Sequence, residues 1–326
     1  MGIDMARLSR RRLLAGASMA GAAGLLPARS NAALAKAPAL GTQAPAFYRF
    51  KVGTIEGTVV SDGPIALGDS TKIFLGDPGE VRRLMTEHFL PADRLVLDQN
   101  ALVINTGDKL ILFETGMESV KRNNQMGRLT QNLKAAGIDP KNIDYVVPTH
   151  AHIDHIGGIF AADGSRNYPN AQIHISQIDF DYWTDDKRMG TPAEGSSLAA
   201  KKYLLPNRDR IVFYQDGKEV VPGVLAKQTP GHTLGHTSFV ITSGNDTLFL
   251  VGDVVHHFPV VENPRMEDFL DTDRKLGIEA RVKTMTFLSD EKLRALVYHL
   301  PWPGIGHFSK SGDGFHFEPE PIQVVL

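Results

Sequence analysis

Cysteine is absent from the 326 residues, and its absence removes disulfides, thiolate metal sites and cysteine nucleophiles together. Histidine and the carboxylates are then the only strong metal ligands the chain can offer. An excess of one charge is also missing. The formal net charge is −2, with 35 basic and 37 acidic side chains interspersed, so no field exists that would hold DNA or RNA by counterion release, and a nucleic-acid partner is excluded on that ground. Beyond the first forty residues no run is long and apolar enough to cross a bilayer. What is there in quantity is hydrophobic side chains, 42% of the total, enough for a large domain with a buried core and against a disordered chain.

The first forty residues differ in character. Arg7, Arg10, Arg11 and Arg12 precede a short apolar run, residues 13–26, rich in Ala and Gly, which fits the core of a targeting signal better than a membrane span. Ser9-Arg10-Arg11-Arg12-Leu13-Leu14 resembles the twin-arginine export signal, and small-x-small sites follow at Ser30-Asn31-Ala32 and Ala33-Leu34-Ala35. The expectation is a signal peptide over residues 1–35, a Pro/Ala-rich linker over 36–46, a single domain over 47–326, and a periplasmic or secreted protein with no stable membrane span once the signal is removed.

From Phe47 the pattern turns to short β-rich runs. Residues 47–63 read as two strands about a Gly turn, and residues 101–116 as a hairpin around Thr106-Gly107-Asp108. Residues 129–136 read as a helix stopped by Gly137, and residues 143–148 as a buried strand. A strand over 171–176, a helix opening at Gln177 and a loop over 187–197 follow. Strands at 224–228, 237–242 and 247–251 come next, then helices at 279–286 and 290–296 and a strand end at 295–299. Strands with intervening helices predict an α/β layered domain.

The buried strand runs directly into His150-Ala151-His152-Ile153-Asp154-His155. Histidines at i and i+2 project to the same side in extended geometry and can close on one ion. Asp154 and His155 come where a carboxylate can open a helix, and Gly157-Gly158 lets backbone pass close to the cluster. Such loops seldom leave an apolar strand and end in Gly-Gly without a function, so this segment is the candidate metal site.

Thr149-His150-Ala151-His152-Ile153-Asp154-His155-Ile156-Gly157-Gly158 resembles the His-x-His-x-Asp-His signature of the metallo-β-lactamase superfamily. Thr229-Pro230-Gly231-His232 resembles the segment that supplies that family's third histidine, and Val251-Gly252-Asp253 the segment that supplies its bridging aspartate. The resemblance implies a four-layer αββα sandwich with two divalent ions at one edge. His150, His152 and His232 would hold the first ion; Asp154, His155 and a late histidine the second; Asp253 would bridge. Two ions about 3.5–4 Å apart share one hydroxide and polarise the bond to be cleaved. Asp154 or Asp253 would relay the proton. Neutral imidazoles and carboxylates suit zinc, and also accept manganese, cobalt or iron.

Two late histidines compete for the last position. His299 ends the apolar run Ala295-Leu296-Val297-Tyr298 and would leave a strand at the sheet edge, whereas His307 follows the Pro/Gly-rich Pro301-Trp302-Pro303-Gly304-Ile305-Gly306. His299 is assigned as ligand, and His307 as lining the pocket or supporting the loop. His256 is a further pocket candidate that a solvated loop explains equally well; Trp183 walls the pocket or packs in the core. His236 reads as packed or as a partner that orients a ligand.

Asp253 counts against a true β-lactamase, which lacks a bridging aspartate there. His152 counts against the flavo-diiron branch, and no glutathione-binding motif of a glyoxalase II thioesterase is seen. Asp271-Thr272-Asp273 and the segment from Tyr298 to His307 resemble the methyl parathion hydrolase and lactonase-like branch; Glu114-Thr115-Gly116 departs from the family's usual Asp-Thr-Gly. The implied reaction is hydrolysis of a small-molecule lactone, aryl ester or phosphotriester by a metal-bridging hydroxide, with a homodimer allowed. The alternatives are a β-lactamase, a glyoxalase II-like thioesterase or a zinc-binding protein without turnover.

Overall fold

A computed structural model describes residues 39–41, 43–117 and 125–326. The expected signal peptide lies outside the described residues, as does the start of the linker. One compact unit spans Pro45–Leu326.

Two seven-stranded sheets carry the fold. From edge to edge, the first is β1 (Phe47–Val52), β2 (Ile55–Ser61), β5 (Asn100–Asn105), β6 (Leu110–Phe113), β7 (Tyr145–Val146), β8 (Gln172–Ser176) and β9 (Ile211–Tyr214). The second runs in sequence order: β10 (Glu219–Val221), β11 (Val224–Gln228), β12 (Thr237–Ser243), β13 (Asp246–Gly252), β14 (Arg294–Val297), β15 (Ile305–Ser311) and β16 (Gly314–Pro319). A separate pair, β3 (Ile65–Gly68) with β4 (Leu95–Leu97), completes the set.

The alternation of side chains along each strand explains the layering. On β5, Leu102 and Ile104 join an inner cluster with Phe113 of β6 and with Phe239, Leu248 and Leu250 of the second sheet. Ala101 and Val103 face the other way, into a cluster with Leu129, Leu133, Ile156, Phe180 and Tyr203, which lie on helices. The second sheet is built likewise: Phe249 and Val251 of β13 turn outward to Leu84, Met85, Met285 and Leu288 on helices Pro78–Glu87 and Arg274–Asp290. Strands apolar on both faces must be covered on both faces, and the result is the expected αββα sandwich.

Several elements depart from the sequence reading. The expected loop over 187–197 is interrupted by the helix Glu194–Leu204, whose apolar face of Ala199, Ala200, Tyr203 and Leu204 packs on the first sheet. The helix expected at 279–286 is part of a longer one, Arg274–Asp290, begun by the Asp273 side chain accepting the Leu276 N–H at 3.0 Å, while the helix expected at 290–296 does not form: that stretch is a turn leading into a strand. The chain then enters β14, pinned between β13 and β15. The strand expected over 143–148 narrows to Tyr145–Val146.

Gly158 shows why Gly-Gly ends the histidine segment. A Cβ there would lie 1.9 Å from the Thr115 carbonyl oxygen, while at Gly164 it would meet open space. Gly158→Ala should therefore destabilise the protein by on the order of 3 kcal/mol or prevent folding, and Gly164→Ala by much less despite its positive φ. Denaturant unfolding of the two variants checks this; equal midpoints would refute the packing argument.

Candidate metal centre

Loops leaving β7, β11, β13 and β14 converge at one edge of the sandwich, the place where α/β sheets gather ligands. They bring together His150, His152 and His232 in one group and Asp154, His155, Asp253 and His299 in a second, each with donor atoms within 4.8 Å of one another. A third group, His232, Asp253 and His256, shares two members with these.

In the first group His232 Nε2 lies 3.1 Å from His150 Nε2 and 2.9 Å from His152 Nδ1. Two donors around a tetrahedral zinc sit about 3.3 Å apart, given Zn–N of about 2.0–2.1 Å, so the spacing is that of lone pairs aimed at one cation. Burial, chiefly, holds His152 and His232 at about 3 and His150 well below its ordinary value. These imidazoles are neutral, as ligands must be.

The second group is organised around one oxygen. Asp253 Oδ2 lies 3.1 Å from His299 Nε2, 3.3 Å from His155 Nε2 and 3.4 Å from His232 Nε2. Asp154 Oδ2 is 3.4 Å from His155 Nε2 and 3.3 Å from His299 Nε2. Burial works against both charged carboxylates, but the facing imidazoles outweigh it and hold Asp154 and Asp253 well below the usual range. Burial equally opposes a charged His299, yet Asp253 and Asp154 push it up to about 9. Both carboxylates thus stay charged in the buried pocket, where a dication would be held.

Three of the rings have a group on the far side that fixes their orientation. His299 Nδ1–H donates to the Asp98 carbonyl at 2.7 Å, which turns Nε2 toward Asp154 and Asp253. His150 Nδ1 pairs with Thr149 Oγ1 at 3.0 Å, and His155 Nδ1 lies 2.8 Å from Glu114 Oε2. Glu114, the departure from Asp-Thr-Gly, sits at φ +67 and also accepts the Thr149 N–H at 3.2 Å. His236 does not join a ligand group: its Nδ1 pairs with Thr229 Oγ1 at 2.8 Å and its Nε2 accepts the Asp253 N–H at 3.0 Å, so it positions Asp253.

Two fixing residues were not visible in the sequence. Asp179, fully buried on the helix Gln177–Thr184, accepts the Ala151 N–H at 2.7 Å and the Gly235 N–H at 2.9 Å, tying the first histidine loop to the second. Burial raises it to about 6. Asp268 accepts from His256 Nδ1 at 2.8 Å. A buried Asp near histidines is a weak signal, and nothing local distinguishes these two from surface carboxylates.

Two pocket expectations need correction. Trp183 is buried among the helices covering the first sheet and backs the His152 ring edge-on at 5.1 Å; it does not line the cavity. His307 lies on β15 opposite Glu318, because the Pro/Gly segment turns back into a strand and does not fold over the site. His256 does line the cavity, which measures about 190 Å³. His152, Asp154, His232, Asp253, His256 and His299 form its floor, and Ile65, Leu67, Leu97, Met117, Ile153 and Leu270 its walls.

A family model described as the metallo-beta-lactamase superfamily matches residues 94–302. The chain belongs to this superfamily. Among solved structures it is similar to AidC, a dizinc quorum-quenching lactonase in complex with a product: TM-score 0.81, 29% identity, 86% of this chain and 99% of that one. It is similar also to the hydrolase AbOPH, with TM-score 0.80, 26% identity and coverage of 86% and 100%. An N-acyl homoserine lactonase of Bacillus cereus is 27% identical over 199 residues, covering 50% of this chain and 73% of that one. The donor set fits the two divalent ions such a centre uses. Converging neutral nitrogens, paired carboxylates and buried atoms without a normal hydrogen bond among the described residues, including His155 Nε2 and Asp253 Oδ1, are what bound cations would satisfy.

His299→Ala should lose the second ion, whereas His307→Ala should retain both. Elemental analysis after equilibration with zinc checks this, and wild-type metal content in the His299 variant would remove it from the ligand set.

Proposed function

We propose that this metal-dependent hydrolase is a dizinc lactonase that opens N-acyl homoserine lactones. The observation that carries the reading is the cavity itself, a metal-ligand floor beneath apolar walls. At about 190 Å³ it is smaller than the roughly 300–1,000 Å³ of sites that enclose drug-sized ligands. It suits a small reacting ring, with the rest of the substrate running out over Ile65, Leu67 and Leu270, next to the exposed Phe269. An apolar acyl arm matches that exit. The similarity to AidC and to the Bacillus lactonase supports the choice of a lactone among the bond classes expected from the sequence.

When bound, the two ions supply a water of lowered pKa and a Lewis acid for the carbonyl. His150, His152 and His232 would hold one, Asp154, His155 and His299 the other, with Asp253 between them. Asp253 is buried and ringed by imidazoles, which leaves it no freedom to carry a proton. Asp154 lines the cavity with its side chain 16% exposed, and its backbone carbonyl is held by the Tyr298 hydroxyl at 2.7 Å. Asp154 Oδ2 is the group placed to take up a proton and return it to the leaving alkoxide. The apolar walls limit water around the ring during the step.

Chelation should abolish lactone hydrolysis, and zinc, cobalt or manganese should restore it. Across an acyl series kcat/KM should rise by up to about fourfold per methylene, from about 0.8 kcal/mol per buried CH₂, until the rim is covered. Penicillins, aryl esters and phosphotriesters should be turned over far more slowly. Equal or faster β-lactam turnover, or no dependence on chain length, would refute the substrate assignment.

We further propose export by the twin-arginine route, supported by the Ser9 to Leu14 resemblance. Replacing Arg10 and Arg11 together with Lys should keep the protein in the cytoplasm with lysate activity intact; unchanged export would refute it.

A further inference from the structure

His256 stands outside the seven assigned donors, yet it is built as they are. Its ring is fully buried, and its Nδ1–H donates to Asp268 Oδ2 at 2.8 Å. Asp268 is itself fully buried and fixed by accepting the Leu270 N–H at 3.0 Å. With Nδ1 so engaged, Nε2 is turned toward the ligand group and lies 3.4 Å from Asp253 Oδ2. The same construction recurs at His299, where a carbonyl holds Nδ1 and Nε2 lies 3.1 Å from the same oxygen. It recurs at His155, with Glu114 behind the ring and 3.3 Å in front. A buried imidazole nitrogen and a carboxylate oxygen that face one another need a proton or a metal cation between them. Among the described residues Nε2 of His256 has no hydrogen-bond partner, and it falls with His232 and Asp253 into a group whose donor atoms lie within 4.8 Å of one another.

We propose that His256 is a further protein ligand of the metal centre, joining His232 and Asp253 around the ion they share, with Asp268 as the carboxylate that orients it. A carboxylate behind a ligating imidazole is the usual supporting arrangement, and losing it weakens metal binding by about 10–100-fold. A donor added beside His150, His152, His232 and Asp253 raises the coordination number of that ion above four, toward geometries that manganese, iron and cobalt accept as readily as zinc.

The proposal rests on the dinuclear reading of the centre, and cobalt substitution tests the two separately. In the cobalt-loaded wild type, paramagnetic NMR should show hyperfine-shifted signals from six imidazoles: His150, His152, His155, His232, His256 and His299. His256→Gln should show five, bind one cobalt about 10–100-fold more weakly and absorb more strongly in the visible, as a four-coordinate ion does. Asp268→Asn should weaken the same ion, and His307→Gln should match the wild type in every readout. Two bound ions with five imidazole signals in the wild type would overturn the proposal alone. So would a His256→Gln protein with wild-type spectrum and affinity, whose only change is a raised KM for lactone. A wild type that binds no cobalt would overturn the dinuclear reading and the proposal with it. The wild-type signal count needs no variant to fold.

Discussion

A single carboxylate oxygen organises this molecule. Asp253 Oδ2 has imidazole nitrogens of His299, His155, His232, His256 and His150 at 3.1, 3.3, 3.4, 3.4 and 4.0 Å. Assembling so many polar groups away from water costs several kcal/mol for each charge that is not answered. Attraction between its carboxylates and imidazoles does not set the positions of its members; the scaffold has to hold them. The two sheets do so by ending neighbouring strands at one edge, so that residues far apart in sequence arrive on short, tethered loops. Three tethers are ordinary hydrogen bonds, the Asp98 carbonyl to His299, His236 to the Asp253 backbone and Asp179 to the backbones of both histidine loops, and a fourth is the ion pair of Glu114 with His155.

The outer layers serve the same end. Helix Arg274–Asp290 packs Met285 and Leu288 against the second sheet and carries Arg281, a fully buried guanidinium. Arg281 donates to Asp271 at 2.8 Å and to the carbonyls of Val254 and Met266. Asp271 Oδ1 in turn lies 3.5 Å from His232 Nδ1. A buried charge of this kind is costly unless fully partnered, and here the partners are the segment that follows Asp253 and the carboxylate behind a ligand. Burial raises Asp271 to about 6 even with Arg281 beside it, a measure of how dry the surroundings of the site are. Geometry at the metal edge is thus linked to packing on the far side of the sheet.

What the sequence discloses and what it hides divide along local and non-local lines. Local order makes the histidine segment legible: one strand, two histidines on one side, then Gly-Gly where Thr115 leaves no room for a Cβ. It also explains why His299 could be preferred over His307, since an apolar strand with a histidine just past its end predicts a side chain at the sheet edge. The pocket role given to His307 failed because Pro301 to Gly304 form a turn between β14 and β15, and strand pairing with β16 outweighs loop composition. Trp183 was ambiguous for a different reason: a tryptophan backing a histidine and one lining a cavity have the same sequence context. The supporting residues were least visible. Asp179, Asp268 and the Asp98 carbonyl act through contacts separated by 28, 12 and 201 positions, and no periodic pattern encodes such pairings.

The absence of cysteine gives the centre a second role. With no disulfides, the loops after β7, β11, β13 and β14 are tied to one another by hydrogen bonds and by carboxylate–imidazole pairs that metal would replace with stronger bonds. Metal that binds the folded arrangement and not the unfolded chain adds its binding free energy to stability, about 2.7 kcal/mol when free metal stands at 100 times its dissociation constant. In a domain whose net stability is on the order of 5–15 kcal/mol that is a substantial share, and it falls on the loops that must be rigid for catalysis. The seven assigned donors therefore act as the cross-link of the fold as well as its chemistry, and the edge of the sandwich that is hardest to assemble becomes, with ions in place, the part held most firmly.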